Sequence, residues 1–215
     1  MPLADTSFAE SPTWLSSATP LILVEEITHR VVNEYTQAIA CIRLAAARAA
    51  SHEARTALAG AANRLLRFAE AHRALQAPPA VGTTDLGAYL ERLCAAISTA
   101  SLGDSRITLT LSTISLPLRP DRCWRVALIV SELITNSVRH GLQNRPGSVV
   151  VQLDLAGGVV VCRVSDNGAA ETDPPPARGR HVVEALAAEL GGAVQWTFGS
   201  RGTTAELAFP REQAA

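Results

Sequence analysis

From about Leu21 to Ala50 the chain has neither proline nor glycine. Within that stretch Val24, Ile27, Val31, Ala38, Cys41/Ile42, Ala45 and Ala49 recur at steps of three and four. That spacing predicts an amphipathic helix. A second stretch, about Glu53 to Gln76, sets Ala54, Leu58, Ala61, Leu65, Phe68, His72 and Leu75 on a seven-residue repeat, with Ser51 placed to cap it. Two long helices with so short a connection pack antiparallel. A lone hairpin cannot cover a stripe on both helices, whereas a dimeric four-helix bundle does.

The texture changes at Ala77-Pro-Pro-Ala-Val-Gly-Thr-Thr. Beyond it, Asp85 caps a helix carrying Leu86, Leu90, Leu93 and Ile97, and Ile107, Leu109 and Leu111 alternate as a strand. Asp121 to about Leu142 reads as a helix. Val149–Leu155 and Val159–Val164 read as a hairpin turning at Gly157-Gly158. Pro174-Pro175-Pro176 leads into a helix over about Arg180–Leu190, stopped by Gly191-Gly192. Ala193–Phe198 and Thr203–Phe209 make a last hairpin across Gly199 to Gly202. An antiparallel-rich sheet with its helices on one face is the simplest packing. The segments are therefore a loose lead-in at 1–20, a helical hairpin at 21–76, a linker at 77–84, an α/β two-layer domain at 85–210 and a tail at 211–215. The fold class is α+β.

Composition narrows the function. The 215 residues are 47% hydrophobic and 18% charged with a net charge of −1, which suits globular domains and argues against a nucleic-acid binder. Apolar runs fall short of a membrane span and the N-terminus lacks a basic signal region, so a cytoplasmic protein is expected. Cys41, Cys94, Cys123 and Cys162 show no metal spacing and read as buried free thiols.

The chemistry-bearing residues cluster in the second half. Glu132-Leu-Ile-Thr-Asn136 sets a carboxylate and a carboxamide one helical turn apart, a pair able to hold Mg²⁺ and orient a reacting group. Alone, it is equally an exposed polar face. Arg139 and His140 follow on the next turn. Asp166-Asn-Gly168 comes at a strand end, where an acid can accept an amino-group hydrogen bond and glycine admits a ligand to the backbone; an Asx turn is the bland reading. Gly179 precedes a helix, as phosphate sites require, and Gly202-Thr203-Thr204 enters the last strand.

The order ELITN, DNG, glycine before a helix, LGG and GTT resembles the ATP-binding domain of histidine kinases, the Bergerat or GHKL fold. Upstream, Glu26-Ile-Thr-His29-Arg-Val-Val-Asn33 resembles the phosphoacceptor box of the HisKA_2/HWE branch, where histidine is followed by arginine and, four residues on, by asparagine. The WxE sequence of HWE kinases is absent near DNG, which favours HisKA_2.

The resemblance implies His29 as phosphoacceptor, with Glu25 and Asn33 one turn either side. It implies Glu132 as the residue positioning the reacting group and Asn136 as the Mg ligand, with His140 in the same box. Asp166 would bind the adenine amino group, Gly168 would give the base room, and Gly179 and Thr203 would complete the ATP site. It further implies a homodimer, and a response-regulator receiver domain as partner that reads Arg30 and Glu34.

Departures keep a second reading open. Ala169-Ala170 follow DNG, Ala177 stands at a usual glycine, and Glu171 and Asp173 place negative charge in a lid stiffened by three prolines. One reading is a two-component histidine kinase core that moves the ATP γ-phosphoryl to His29 and on to a receiver aspartate. The alternative is a non-enzymatic histidine phosphotransferase with a degenerate ATP domain in a phosphorelay. A partner-switching GHKL protein fits less well, because that type lacks the histidine-bearing hairpin.

Overall fold

The computed structural model describes residues 19–79, 81–102, 106–168 and 178–212, with backbone alone for 19–25, 101 and 178. The lead-in before Thr19, the lid residues Ala169, Ala170, Glu171, Asp173 and Ala177, and the last three residues lie outside the described residues, as do the side chains of Val24 and Glu25.

Helices α1 (Thr19–Arg48) and α2 (His52–Ala74) form the antiparallel hairpin. Ser51 caps α2, its hydroxyl accepting the Ala54 amide at 3.1 Å. The face that α1 buries differs from the expected one. Val32 and Ile39 are buried, with Ile39 on Ala62 and Ala69 of α2 and Tyr35, Ile42, Leu65 and Leu66 half-buried around them. Ile27 and Leu44 stay 51% and 53% exposed, and Cys41 is the one exposed thiol. The reason is geometric. Two alanines seven residues apart on α2 open a groove that branched side chains on α1 fill. On an alanine-rich helix, several stripes share that period.

The second unit opens with β1 (Thr84–Asp85), paired antiparallel with β3 (Pro117–Leu118). Between them run α3 (Leu86–Ile97) and β2 (Ile107–Ser112). Then come α4 (Pro120–Asn136), β4 (Gly147–Ala156), β5 (Val159–Asp166), α5 (Arg178–Glu189), β6 (Ala193–Gly199) and β7 (Gly202–Pro210). The sheet order is β2-β4-β5-β7-β6, with β2 and β4 parallel and every other pair antiparallel.

Alternation along the central strands explains the two layers. Val149, Val151 and Leu153 of β4, Val160, Cys162 and Val164 of β5, and Ala205, Leu207 and Phe209 of β7 are buried. They meet α3, α4 and α5 through Leu90, Val126, Ile129, Val130 and Val183. On the other face, Arg163 pairs across the strands with Glu206 at 2.5 Å.

Helix α4 is shorter than its pattern predicts. It ends at Asn136, and Ser137–Gly141 form a π-type turn, closed by the Leu142 amide on the Ser137 carbonyl at 2.8 Å. The glycine hairpins match expectation: Gly157, Gly158 and Gly191 all adopt positive φ. Among the described residues, no helix is long and apolar enough to cross a membrane.

The hairpin is fastened to this unit at the end of α2. The Trp124 indole Nε1 donates to the Leu75 carbonyl, and the Tyr89 hydroxyl donates to the Gln76 carbonyl, both at 2.8 Å. Burial pushes the Tyr89 phenol well above its usual value, so it remains a donor across the physiological range.

Asp85 joins two parts of the fold. Its carboxylate accepts the Ala88 amide at 2.8 Å, capping α3, and the Ser115 hydroxyl from the loop before β3. The Ser115 and Ala88 hydrogen bonds hold its pKa below the usual 3.8. A carboxyl depressed by folding contributes stability above its unfolded pKa and loses it as pH falls through the folded one. Asp85→Ala is therefore expected to lower stability by about 1 kcal/mol at pH 7, with the difference from wild type shrinking below about pH 4. Urea unfolding at pH 7 and pH 3 measures both; an equal loss at the two pH values would contradict the cap.

Candidate functional site

Asp166 ends β5 in the middle of the sheet and is buried at 7% exposure. Its Oδ1 accepts the Gly168 amide at 3.0 Å and the Thr203 amide at 3.3 Å. Its Oδ2 is buried with no hydrogen-bond partner among the described residues. An acceptor kept dry and unpaired costs about 1–3 kcal/mol, more when charged, so such an atom points to an arriving donor.

Three backbone segments close on this carboxylate, and glycine is required at each. A Cβ at Gly141, at the end of the π-type turn, would collide with the Asp166 carboxylate; one at Gly168 would strike the Gly141 carbonyl; one at Gly202 would strike the Asp166 carbonyl. Gly202 also has φ +129, a value L residues rarely adopt. Asn167 holds the loop from the side, its Oδ1 accepting the Ser148 amide at 2.8 Å, and the Ser165 and Thr204 hydroxyls bond at 3.0 Å across β5 and β7. The result is a cradle whose wall is peptide backbone, with one free carboxylate oxygen in it. The exocyclic amino group of a purine has the chemistry to meet that oxygen.

Glu132 and Asn136 sit one turn apart at the end of α4, both half-buried, and His140 is exposed in the following turn. The Glu132 carboxylate lies against Gly179 in the first turn of α5, where a Cβ would collide with it. A helix N-terminus attracts anions, so an acid placed there is electrostatically at ease. The structure thus brings Asp166, Gly168 and Thr203 together at the end of β5 and sets Glu132 against Gly179 at the start of α5, with Asn136 and His140 at and just beyond the end of α4.

His29 is elsewhere. It is exposed on α1, and its Nδ1 lies 3.3 Å from the side-chain amide nitrogen of Gln76, just beyond α2. Glu26, by contrast, is taken by Arg30 at 2.6 Å. Gln76 neighbours Leu75, whose carbonyl Trp124 holds near the start of α4. Trp124 and Asn136 are twelve residues apart on that helix, roughly 18 Å at 1.5 Å per residue. The histidine and the Asp166 cradle are therefore at opposite ends of α4. The other histidines are structural or solvated: His72 bonds the Phe68 carbonyl at 2.9 Å and packs on Tyr35, and His52 and His181 are exposed.

Sequence reasoning missed Gly141 and Gln76. Gly141 carried a signal, a glycine directly after Arg139-His140, but its use is a contact with a residue 25 positions on. Gln76 carried none. A cleft of about 450 Å³ between the hairpin and α4, lined by Arg64, Arg67, Phe68, Thr135 and Arg139 among others, lies apart from the Asp166 cradle.

Comparison with known proteins agrees with this fold. A histidine kinase family model, HisKA_2, matches residues 26–101, and the model of the histidine kinase-like ATPase domain matches residues 102–195. The blue-light-activated histidine kinase 2 of Erythrobacter litoralis is 28% identical over 205 residues, covering 87% of this chain. The chain spans 57% of that relative's length. The solved histidine kinase domain of an Erythrobacter litoralis blue-light activated histidine kinase superposes with TM-score 0.58 at 24% identity, covering 83% of this chain and 96% of that one. A solved bacterial phosphotransferase superposes with TM-score 0.63 at 16% identity, covering 92% of this chain and 98% of that one. The two family models meet without a gap and together run through both the hairpin and the sheet unit, so the chain belongs to the histidine kinases, with a HisKA_2 hairpin followed by a histidine kinase-like ATPase domain.

Proposed function

We propose that this chain is the core of a two-component histidine kinase, which moves the γ-phosphoryl of ATP to His29 and from there to an aspartate of a response-regulator receiver domain. The observation that carries the reading is Asp166 Oδ2, buried and unpartnered inside a backbone cradle. It fits the adenine amino group, with the Gly168 and Thr203 amides fixing the other carboxylate oxygen. Asn136 and Glu132 offer hard oxygen donors one turn apart, suited to Mg²⁺, which when bound would offset phosphate charge. Glu132 positions the reacting group, His140 lies alongside, and the amides after Gly179 face the phosphates. Catalysis of this kind is mostly positioning and charge neutralisation, which is what these residues supply.

The hairpin supports a homodimer. Ile27, Cys41 and Leu44 remain exposed on α1, an apolar set that a second copy would cover in a four-helix bundle. Receiver choice falls to the His29 face, where Arg30 and Glu34 are exposed. Exchanging that pair for the residues of another kinase is expected to redirect transfer among receivers; an unchanged preference would remove them from the recognition surface.

A second reading, a histidine phosphotransferase that no longer uses ATP, is favoured by the Glu132 carboxylate packed on Gly179 at the helix start where phosphate would lie. The alanines at 169, 170 and 177 point the same way. Under that reading His29 still carries phosphate, received from another receiver domain.

Incubation with γ-labelled Mg·ATP separates the two. The kinase reading expects acid-labile, alkali-stable label on wild type, none on His29→Ala and none on Asn136→Ala. Absence of label on wild type, with transfer from a phosphorylated receiver retained, would establish the phosphotransferase instead. For the cradle itself, Asp166→Asn is expected to weaken ATP binding about ten- to a hundredfold through loss of a charged acceptor. Gly141→Ala should do at least as much with the circular dichroism spectrum retained. Calorimetric titration reads both, and wild-type affinity in Asp166→Asn would sink the adenine assignment.

A further inference from the structure

We propose that Gln76 is a positioning residue for His29, setting which ring nitrogen carries the proton. This rests on the phosphoacceptor reading of His29. The structural basis is a contact between two elements that the sequence separates by 47 residues. The Gln76 side-chain amide lies 3.3 Å from His29 Nδ1 while the rest of the ring is exposed.

The chemistry needs such a partner. For Nε2 to attack phosphorus it must carry the lone pair, so the ring proton must be on Nδ1. As Nε2 forms the N–P bond, the bond to the departing ADP oxygen breaks and its electron pair leaves with ADP. The imidazole then carries positive charge shared with Nδ1–H, and an acceptor facing Nδ1 stabilises that charge as it develops. On the same helix Glu26 is engaged by Arg30, and the side chain of Glu25, one turn before His29, lies outside the described residues.

A carboxamide presents a donor and an acceptor that exchange places in a half-turn. With its nitrogen toward the ring, as in this structure, Gln76 donates to Nδ1 and the ring proton belongs on Nε2, the non-nucleophilic tautomer. With Oε1 toward the ring, Nδ1–H donates and Nε2 is free to attack. The two orientations of one side chain therefore correspond to a resting and a reactive histidine.

The position of Gln76 is set from the ATPase domain. Its backbone carbonyl accepts the Tyr89 hydroxyl from α3, and the preceding Leu75 carbonyl accepts the Trp124 indole from α4. Its own amide bonds the Arg73 carbonyl at 3.0 Å, continuing the last turn of α2. Movement of the ATPase domain relative to the hairpin thus shifts the group that selects the tautomer.

The test uses the full chain and three variants. Gln76→Leu removes both polar atoms at similar size, Gln76→Glu offers acceptors only, and His29→Ala is the control. In ¹⁵N-resolved NMR of the imidazole, Gln76→Glu is expected to raise the Nδ1–H population of His29 and Gln76→Leu to shift it away from wild type. Phosphorylation of His29, from labelled ATP or from a phosphorylated receiver, is expected to slow about tenfold in Gln76→Leu with the half-saturating donor concentration unchanged, the worth of one well-placed hydrogen bond. Gln76→Glu is expected to stay within about threefold of wild type, on the same scale. An unchanged tautomer in Gln76→Leu, or Gln76→Glu as slow as Gln76→Leu, would overturn the proposal. Label persisting in His29→Ala would instead overturn the phosphoacceptor reading, while the NMR comparison would still report on the contact.

Discussion

A half-satisfied carboxylate buried in a wall of peptide backbone organises the ATPase domain. Asp166 can be held there only because three chain segments approach more closely than any side chain permits, at Gly141, Gly168 and Gly202. Each approach has its own support. The π-type turn adds a residue to the end of α4 and swings Gly141 onto the carboxylate. The antiparallel register of β5 with β7 sets Ser165 opposite Thr204, which delivers the Thr203 amide to Oδ1. Asn167 ties the following loop to β4. Moving one of these segments by an ångström would either collide or let in water, and the dry, directional acceptor would be lost.

The same helix that ends at this cradle also measures how far it lies from His29. Attack on phosphorus needs the reacting atoms at about 3–3.5 Å. In this arrangement His29 is held, through Gln76 and Leu75, near the Trp124 end of α4, while Asn136 closes the other end. On the proposed reading, transfer within one chain would strain the Trp124 and Tyr89 hydrogen bonds to the end of α2. Those two hydrogen bonds, net about 1 kcal/mol each, act together with Ala74 and Leu75, which pack against the domain core.

Local features were legible in the sequence because they are decided locally. Ser51 and Asp85 cap because a short polar side chain reaches its own helix start. Gly157-Gly158 turns a hairpin because both residues take positive φ. The spacing of ELITN and DNG was readable for the same reason, since each motif acts within one turn or one strand end. What a residue meets across the fold was not readable. Alanines around α1 let more than one stripe satisfy the heptad, and only Ala62 and Ala69 on α2 select Val32 and Ile39 over Ile27 and Val31. Gly141 looks like any helix stop until Asp166 is seen behind it. Gln76 looks like a helix end until α1 brings His29 beside it.

The cradle also bears on whether this chain still uses a nucleotide. A phosphotransferase needs the surroundings of His29 and nothing from Asp166. Were the ATP site only a remnant, an unpaired buried carboxylate oxygen would destabilise the fold by about 1–3 kcal/mol without return, and substitution by serine or alanine would relieve it. The three tight glycines carry a parallel cost, since glycine loses more backbone freedom on folding than any other residue. The acid and all three glycines are present together, with Oδ2 buried and without a hydrogen-bond partner among the described residues. Against this, Glu132 packs on Gly179 at the helix start that the proposed reading gives to phosphate. The two ends are compatible if the α5 helix start separates from Glu132 when a nucleotide enters. A phosphate group would then replace the carboxylate at the helix amides, and the base would satisfy Asp166. On the proposed reading, Asp166 awaits the base and Glu132 is the group that leaves the helix start when phosphate arrives.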